Sequence, residues 1–121
     1  KHPWPYKPGL TGSWVQYDPN GDTTGWSTLR WCANRNGVIS LWGMIGGGNL
    51  GTIVGGANPY QGGIPPWARP DHQEIHLAAT AGGGWLRWDL GAEGSISAVA
   101  YALGGINAWV GIRGRWFATG R

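Results

Sequence analysis

The sequence predicts an all-β domain: a compact antiparallel β-barrel or sandwich of about eight or nine short strands. Three observations predict it. With 24 glycines and eight prolines in 121 residues, no window of a dozen residues keeps the apolar spacing of three and four that a helix needs. Short stretches of alternating apolar and polar residues recur about every 8–12 residues, separated by turn residues. Ten tryptophans exceed the roughly four or five that a core of this size can enclose, so the rest belong to interfaces or a binding surface. The length suits one domain with a real core.

The elements follow in order. Lys1–Gly12 places three prolines between bulky residues, an extended backbone poor in donors. It reads as a neck or linker, with the barrel or sandwich over residues 13–121. Ser13–Tyr17 is a short strand. Asp18–Gly25 is a turn-rich loop whose D-x-N-x-D spacing lacks the closing glutamate of a calcium loop. Thr28–Asn34 and Val38–Ile45 form a hairpin around Arg35-Asn36-Gly37. A three-residue turn there pairs Asn34 with Val38 and keeps Leu29, Trp31 and Ala33 beside Ile39, Leu41 and Gly43 on one face. It also sets Trp42 opposite Arg30 on the other face, where ring and guanidinium can stack. Leu50–Val54 is a short strand and Gly55–Pro66 a loop, which Trp67–Asp71 continues.

The central unit, Gln73–Tyr101, reads as three antiparallel strands. A four-residue loop at Thr80–Gly83 pairs Leu77 with Leu86 and Ile75 with Trp88. A three-residue turn, Ala92-Glu93-Gly94 with Gly94 left-handed, pairs Leu90 with Ile96 and Trp88 with Ala98. Glu74, His76, Trp85, Arg87 and Asp89 then share the outer face. Leu103–Asn107 is a turn, Ala108–Ile112 a strand, Arg113-Gly114-Arg115 a turn or bulge, and Trp116–Thr119 a last short strand.

The net charge is +3, and only 12% of residues are charged, so the surface is rich in glycine, amides, hydroxyls and aromatics. The arginines (Arg30, Arg35, Arg69, Arg87, Arg113, Arg115 and Arg121) are scattered along the chain without a cluster that would track a phosphate backbone, and nucleic acid is not the expected partner. Cys32 is the only cysteine, which excludes an intrachain disulfide and a cysteine zinc site. His72 and His76 are spaced for one helix face rather than one strand, so neither zinc nor any other cofactor is expected. No apolar run approaches membrane-spanning length. The start at Lys1 reads as a piece of a longer protein.

The order of landmarks carries a resemblance. Gly12-Ser13-Trp14 precedes R-N-G-V-I-S-L-W-G (Arg35–Gly43), then G-T-I-V (Gly51–Val54), I-P-P-W-A-R-P (Ile64–Pro70), G-W-L (Gly84–Leu86), E-G-S-I (Glu93–Ile96) and W-V-G-I-R-G-R-W-F (Trp109–Phe117). Over about Ser13–Ala118 this resembles the C-terminal receptor-binding or tip domains of bacteriophage tail fibres and minor tail proteins. The proline–tryptophan–arginine corner between hairpins is its most telling part, although Pro66-Trp67-Ala68 stands where glycine or tyrosine is commoner. The resemblance implies a head domain at the tail tip of a virion, homotrimeric about a threefold axis and joined to the rest of the tail through its N-terminal segment. It implies attachment to a host cell-surface saccharide, without catalysis or membrane insertion.

The residues supply candidates for such a site. A sugar offers apolar C–H faces ringed by hydroxyls, which an aromatic ring and planar polar groups match. Trp85 with Arg87, His76 and Asp89 is one such set. Trp67, Arg69 and His72 in one loop are a second, and Trp42 beside Arg30 a third. Each has a plainer use: cross-strand ion pairing and a subunit contact for the first, anchoring of a corner with Arg69 capping carbonyls for the second. Trp14, Trp31, Trp88 and Trp116 are expected in the core or an interface. Glu74 and Asp89, about 5 Å apart at Cβ if paired, are the nearest approach to a glycosidase carboxyl pair. Their exposed setting beside Arg87 favours ionised groups without catalytic tuning. Two other readings compete: a purely structural tail or capsid decoration domain whose tryptophans pack a trimer, and a secreted bacterial lectin.

Overall fold

The computed structural model describes residues 6–17, 28–55 and 63–119. Alternation builds its strands: β1 (Val15–Gln16), β2 (Arg30–Ala33), β3 (Val38–Gly46), β4 (Gly51–Val54), β5 (Glu74–Ala81), β6 (Trp85–Leu90), β7 (Ile96–Ala102) and β8 (Gly105–Phe117). No α-helix occurs among the described residues, and one 3-10 turn, Pro66–Ala68, interrupts the strands. The strands form one curled antiparallel sheet in the order β1-β3-β8-β5-β6-β7-β4, with β2 also paired to β3. The turn-rich loop Asp18–Gly25 and most of Gly55–Pro66 lie outside the described residues.

The β2–β3 hairpin has the expected register. Ala33 faces Ile39, Trp31 faces Leu41 and Arg30 faces Trp42, and the Asn34 N–H donates to the Val38 carbonyl at 3.0 Å. The Asn34 side chain also accepts from the N–H groups of Asn36 and Val38, which fixes this turn over the tighter Asn-Gly alternative. The β6–β7 pairing is as expected too, with Leu90 opposite Ile96 and Trp88 opposite Ala98. Gly94 has φ +92° in the turn between them.

Two elements differ from the sequence expectation. The β5–β6 ladder is displaced by one residue: Leu77 faces Arg87, His76 faces Trp88 and Ala79 faces Trp85. Its loop holds three residues rather than four, with Gly82 and Gly83 both left-handed and the Thr80 N–H donating to Gly84. A one-residue slip turns every side chain over. Ile75 and Leu77 therefore face solvent, 61% and 68% exposed, while His76, Ala78 and Thr80 face inward. Trp88, fully buried, already fills the inner space there. Its neighbours on β5 are small residues and a flat imidazole, stacked on the indole at 4.4 Å. The second difference is β8, which runs unbroken through Arg113-Gly114-Arg115 against β3. Gly114 makes this possible, because a Cβ there would lie 2.8 Å from the Trp88 ring.

The core holds the four tryptophans assigned to it, Trp14, Trp31, Trp88 and Trp116, with isoleucines and leucines from β3, β4, β6, β7 and β8. The Trp116 indole N–H donates to the Ala68 carbonyl at 2.7 Å and so ties the proline corner to β8. Ahead of β1, Tyr6 exchanges both backbone hydrogen bonds with Trp31 of β2, at 2.7 and 2.8 Å. Farther along, the Thr11 N–H donates to Ile53 of β4. The segment thus runs from β2, which pairs with β3 beside the path, to β4 at the far end of the sheet.

Candidate functional site

The outer face of β2, β3 and β8 carries a concavity. The inward set on β3 is Ile39, Leu41 and Ile45, so Ser40, Trp42 and Met44 point outward. On β8, Val110, Ile112, Gly114 and Trp116 point inward and Gly111, Arg113, Arg115 and Phe117 outward. Pairing then sets Arg30, Trp42 and Arg113 in one row across three strands, and Cys32, Ser40 and Arg115 in the next. The result is a groove of about 390 Å³ lined by Cys32, Ser40, Leu41, Trp42, Arg113, Gly114 and Arg115. A smaller hollow of about 150 Å³ continues it past Trp42 to Met44 and Gly111.

Beside the groove the Arg30 guanidinium lies 5.3 Å from the centroid of the Trp42 ring, the stacking expected from the hairpin register. Trp42 is half-buried and lines both hollows, with Arg30 on one neighbouring strand and Arg113 on the other. Small residues keep the floor low: Gly111 and Gly114 on β8 and Ser40 on β3. No acidic side chain lines either hollow among the described residues.

The other expected sites are arranged differently. Trp85, Arg87 and Asp89 do share the outer face of β6, but His76 does not join them. It points inward and bonds Glu74 at 3.1 Å. The expected pairings of His76 with Arg87 and Glu74 with Asp89 are thus replaced, for the register reason given above. Glu74 and Asp89 project from opposite faces and form no carboxyl pair. Arg87 bonds Asp89 through two nitrogens, at 2.9 and 3.0 Å, and Gln73 gives Asp89 a third bond. Hydrogen bonding to Asp89 raises the Arg87 pKa, partly opposed by desolvation. Around this internally matched pair lie Ile75, Leu77 and Trp85, all exposed.

In the corner loop, Trp67 packs into an aromatic cluster, 5.6 Å from Trp31 and 6.4 Å from Tyr6. Arg69 donates from Nε to the Ile64 carbonyl at 2.8 Å, the capping use foreseen for it. His72 is exposed and paired with the adjacent Asp71. These three residues do not converge with one another or with the Trp42 groove. Among the described residues no three His, Cys, Asp or Glu side chains are placed to hold a metal.

Arg113 and Arg115 were missed as site residues because the Arg-Gly-Arg triplet reads as a turn. The alternation Val110, Ile112, Gly114, Trp116 is nevertheless present in the sequence. Its signal was masked by glycine at an inward position where a large residue is normally expected.

No protein-family model matches the chain, and no curated protein matches it. A search of solved structures finds the crystal structure of the receptor binding protein (gp15) of Listeria phage PSA, with a TM-score of 0.59 at 15% sequence identity. The match covers 93% of this chain and 64% of that one, so the chain spans less than two thirds of the length of the protein it matches. At this identity the likeness establishes the fold, and it agrees with the architecture that the order of landmarks implied.

Proposed function

We propose that this chain is a receptor-binding domain of a phage tail that holds a bacterial surface saccharide in the groove around Trp42. The observation that carries the reading is that groove: a half-buried indole lines it together with Arg113, Arg115 and Ser40, and Arg30 lies over the same ring. An aromatic platform beside planar donors is what a sugar ring requires. The fold likeness to a phage receptor-binding protein supports the tail as the setting, with the N-terminal segment leading toward the rest of the fibre and the groove facing the host at the tail tip. Adhesion rather than cleavage is the reading, with Glu74 and Asp89 set on opposite faces of the sheet.

The outer face of β5 and β6 has a different use in the same proposal. Its ion pair is satisfied internally, and Ile75, Leu77 and Trp85 together expose on the order of 350 Å² of mostly apolar surface, the size of the apolar centre of a standard interface. Copies of the chain pack through this face, in the homotrimer that tail-tip domains adopt. The purely structural alternative would have Trp42 covered as well.

The test is capture of fluorescently labelled protein by a panel of intact bacteria, with soluble wall polysaccharide as competitor. Saturable binding that the competitor abolishes is expected, weakened about tenfold by Trp42→Ala. A folded, assembled domain that binds no strain, or whose binding ignores Trp42→Ala, would refute the groove as the receptor site.

A further inference from the structure

We infer that Tyr6 is a positioning residue for the groove: through Trp31 it holds β2, and with β2 the side chains of Arg30 and Cys32, against β3. The inference rests on the groove reading above and extends the site to a residue that touches no ligand. β2 is four residues long, and its ladder with β3 occupies one edge. On the other edge the described residues supply the Tyr6–Trp31 bridge, in which both backbone bonds form, at 2.7 and 2.8 Å. The rings repeat the contact. Tyr6 stacks on Trp31 with centroids 4.4 Å apart and planes 22° from parallel, and Trp67 closes on the same indole from 5.6 Å. Trp31 is 3% exposed and is the inward anchor of the strand.

Alternation carries this anchor to the groove. Arg30 and Cys32 flank Trp31 in the chain and project from the opposite face. There Arg30 lies over the Trp42 ring, and Cys32 lines the hollow with Ser40. The three side chains share one short backbone, so a shift of Trp31 carries both neighbours with it. The segment ahead of β1 opposes such a shift. Tyr6 and Leu10 pack against the core, and Pro8 is buried while Lys7 is exposed, the period of two of an extended strand. Its far end is fixed to β4, where the Thr11 N–H donates to Ile53 at 2.9 Å. Tyr6 is thus held on its own side by the core and by β4, and it passes that constraint to β2.

The experiment uses the whole chain, labelled with nitrogen-15, and a bacterial strain that captures it. Three variants are compared. Tyr6→Ala removes the stacked ring, Tyr6→Phe keeps the ring and both backbone bonds, and Leu86→Val loosens the core at a fully buried residue of β6. The first readout is the indole N–H resonance of Trp42, which lies on the face of the sheet away from Tyr6. It is expected to move in Tyr6→Ala, to return in Tyr6→Phe and to stay in place in Leu86→Val. The second is affinity for the cells per folded molecule, expected to fall about fivefold in Tyr6→Ala and to be restored in Tyr6→Phe. A merely structural role would lower stability in Tyr6→Ala and Leu86→Val alike and move neither readout. Circular dichroism verifies folding; should Tyr6→Ala not fold, Tyr6→Leu, which keeps apolar bulk without a flat ring, carries the same two readouts. An unmoved Trp42 resonance, or an affinity that ignores the loss of the ring, overturns the inference and leaves the groove reading standing. If no strain captures the unaltered chain, the groove reading is refuted and the role of Tyr6 with it.

Discussion

Replacing Gly48 with alanine should destabilise the domain by about 3 kcal/mol, because Gly48 is the seat of Trp14. A Cβ at position 48 would lie 2.0 Å from Trp14 Cδ2, 2.1 Å from Cε2 and 2.5 Å from Cγ. Carbon atoms in ordinary contact are about 3.5–4.0 Å apart, so the indole must withdraw by roughly 1.5 Å or leave its place. Neither partner moves easily. The Gly47 N–H is bonded to the Asn107 carbonyl at 2.7 Å and the Trp14 N–H to Thr11 at 3.2 Å. Overpacking that the core absorbs costs about 1–3 kcal/mol, and complete loss of a buried tryptophan about 3–5 kcal/mol. Trp14 is 4% exposed with its ring against the glycine, which places the expected value where the two ranges meet. Urea unfolding measures it, and the melting temperature should fall by about 12 °C at roughly 4 °C per kcal/mol. Gly111→Ala is the control. Its Cβ would meet nothing nearer than 3.9 Å, so its effect should stay within about 0.5 kcal/mol. Shrinking the ring with Trp14→Leu should remove most of the Gly48→Ala penalty, a coupling that a double-mutant cycle reads directly. A Gly48→Ala protein as stable as the Gly111→Ala control would refute the seating of Trp14 on this glycine.

Three further outcomes are expected. Trp116→Phe keeps most of the ring volume but leaves the Ala68 carbonyl without its buried donor, so stability should drop by about 1–3 kcal/mol in a denaturant titration. Ile75→Lys with Leu77→Lys should leave the subunit folded, since both side chains are exposed, and should shift sedimentation toward the monomer; an unchanged oligomer would place the contact elsewhere. Alkylation of Cys32, the only cysteine and a groove residue, should block cell binding without lowering the melting temperature, checked by mass spectrometry of the adduct beside the binding assay.

Much of this arrangement was legible in the sequence where two signals agreed. The β2–β3 register follows from turn chemistry and alternation together, and it brings Arg30 to Trp42. The β6–β7 pairing followed in the same way from Gly94 and the apolar positions around it. Legibility ended where one strand could offer either face to the core. On β5, Ile75 and Leu77 look like the buried set by hydrophobicity alone. Which set is buried depends on how much space Trp88 takes from the strand beside it, and that is a property of packing between strands rather than of β5. Gly114 conceals the groove for a related reason: an inward glycine, required by the same Trp88 ring, breaks the apolar rhythm of β8 and makes two groove arginines look like a turn. One buried indole thus accounts for both misread elements.

The short run from Tyr6 to Thr11 bears on how the domain withstands force. It is fastened to β2 at Tyr6 and to β4 at Thr11, and the Thr11 hydroxyl adds a bond to Thr52. Tension arriving through the chain before Tyr6 meets the paired Tyr6–Trp31 bonds and the stacked rings behind them before it reaches any core strand. The Tyr6–Trp31 pair is therefore the expected first point of yielding, a few residues ahead of the Thr11–Ile53 bond.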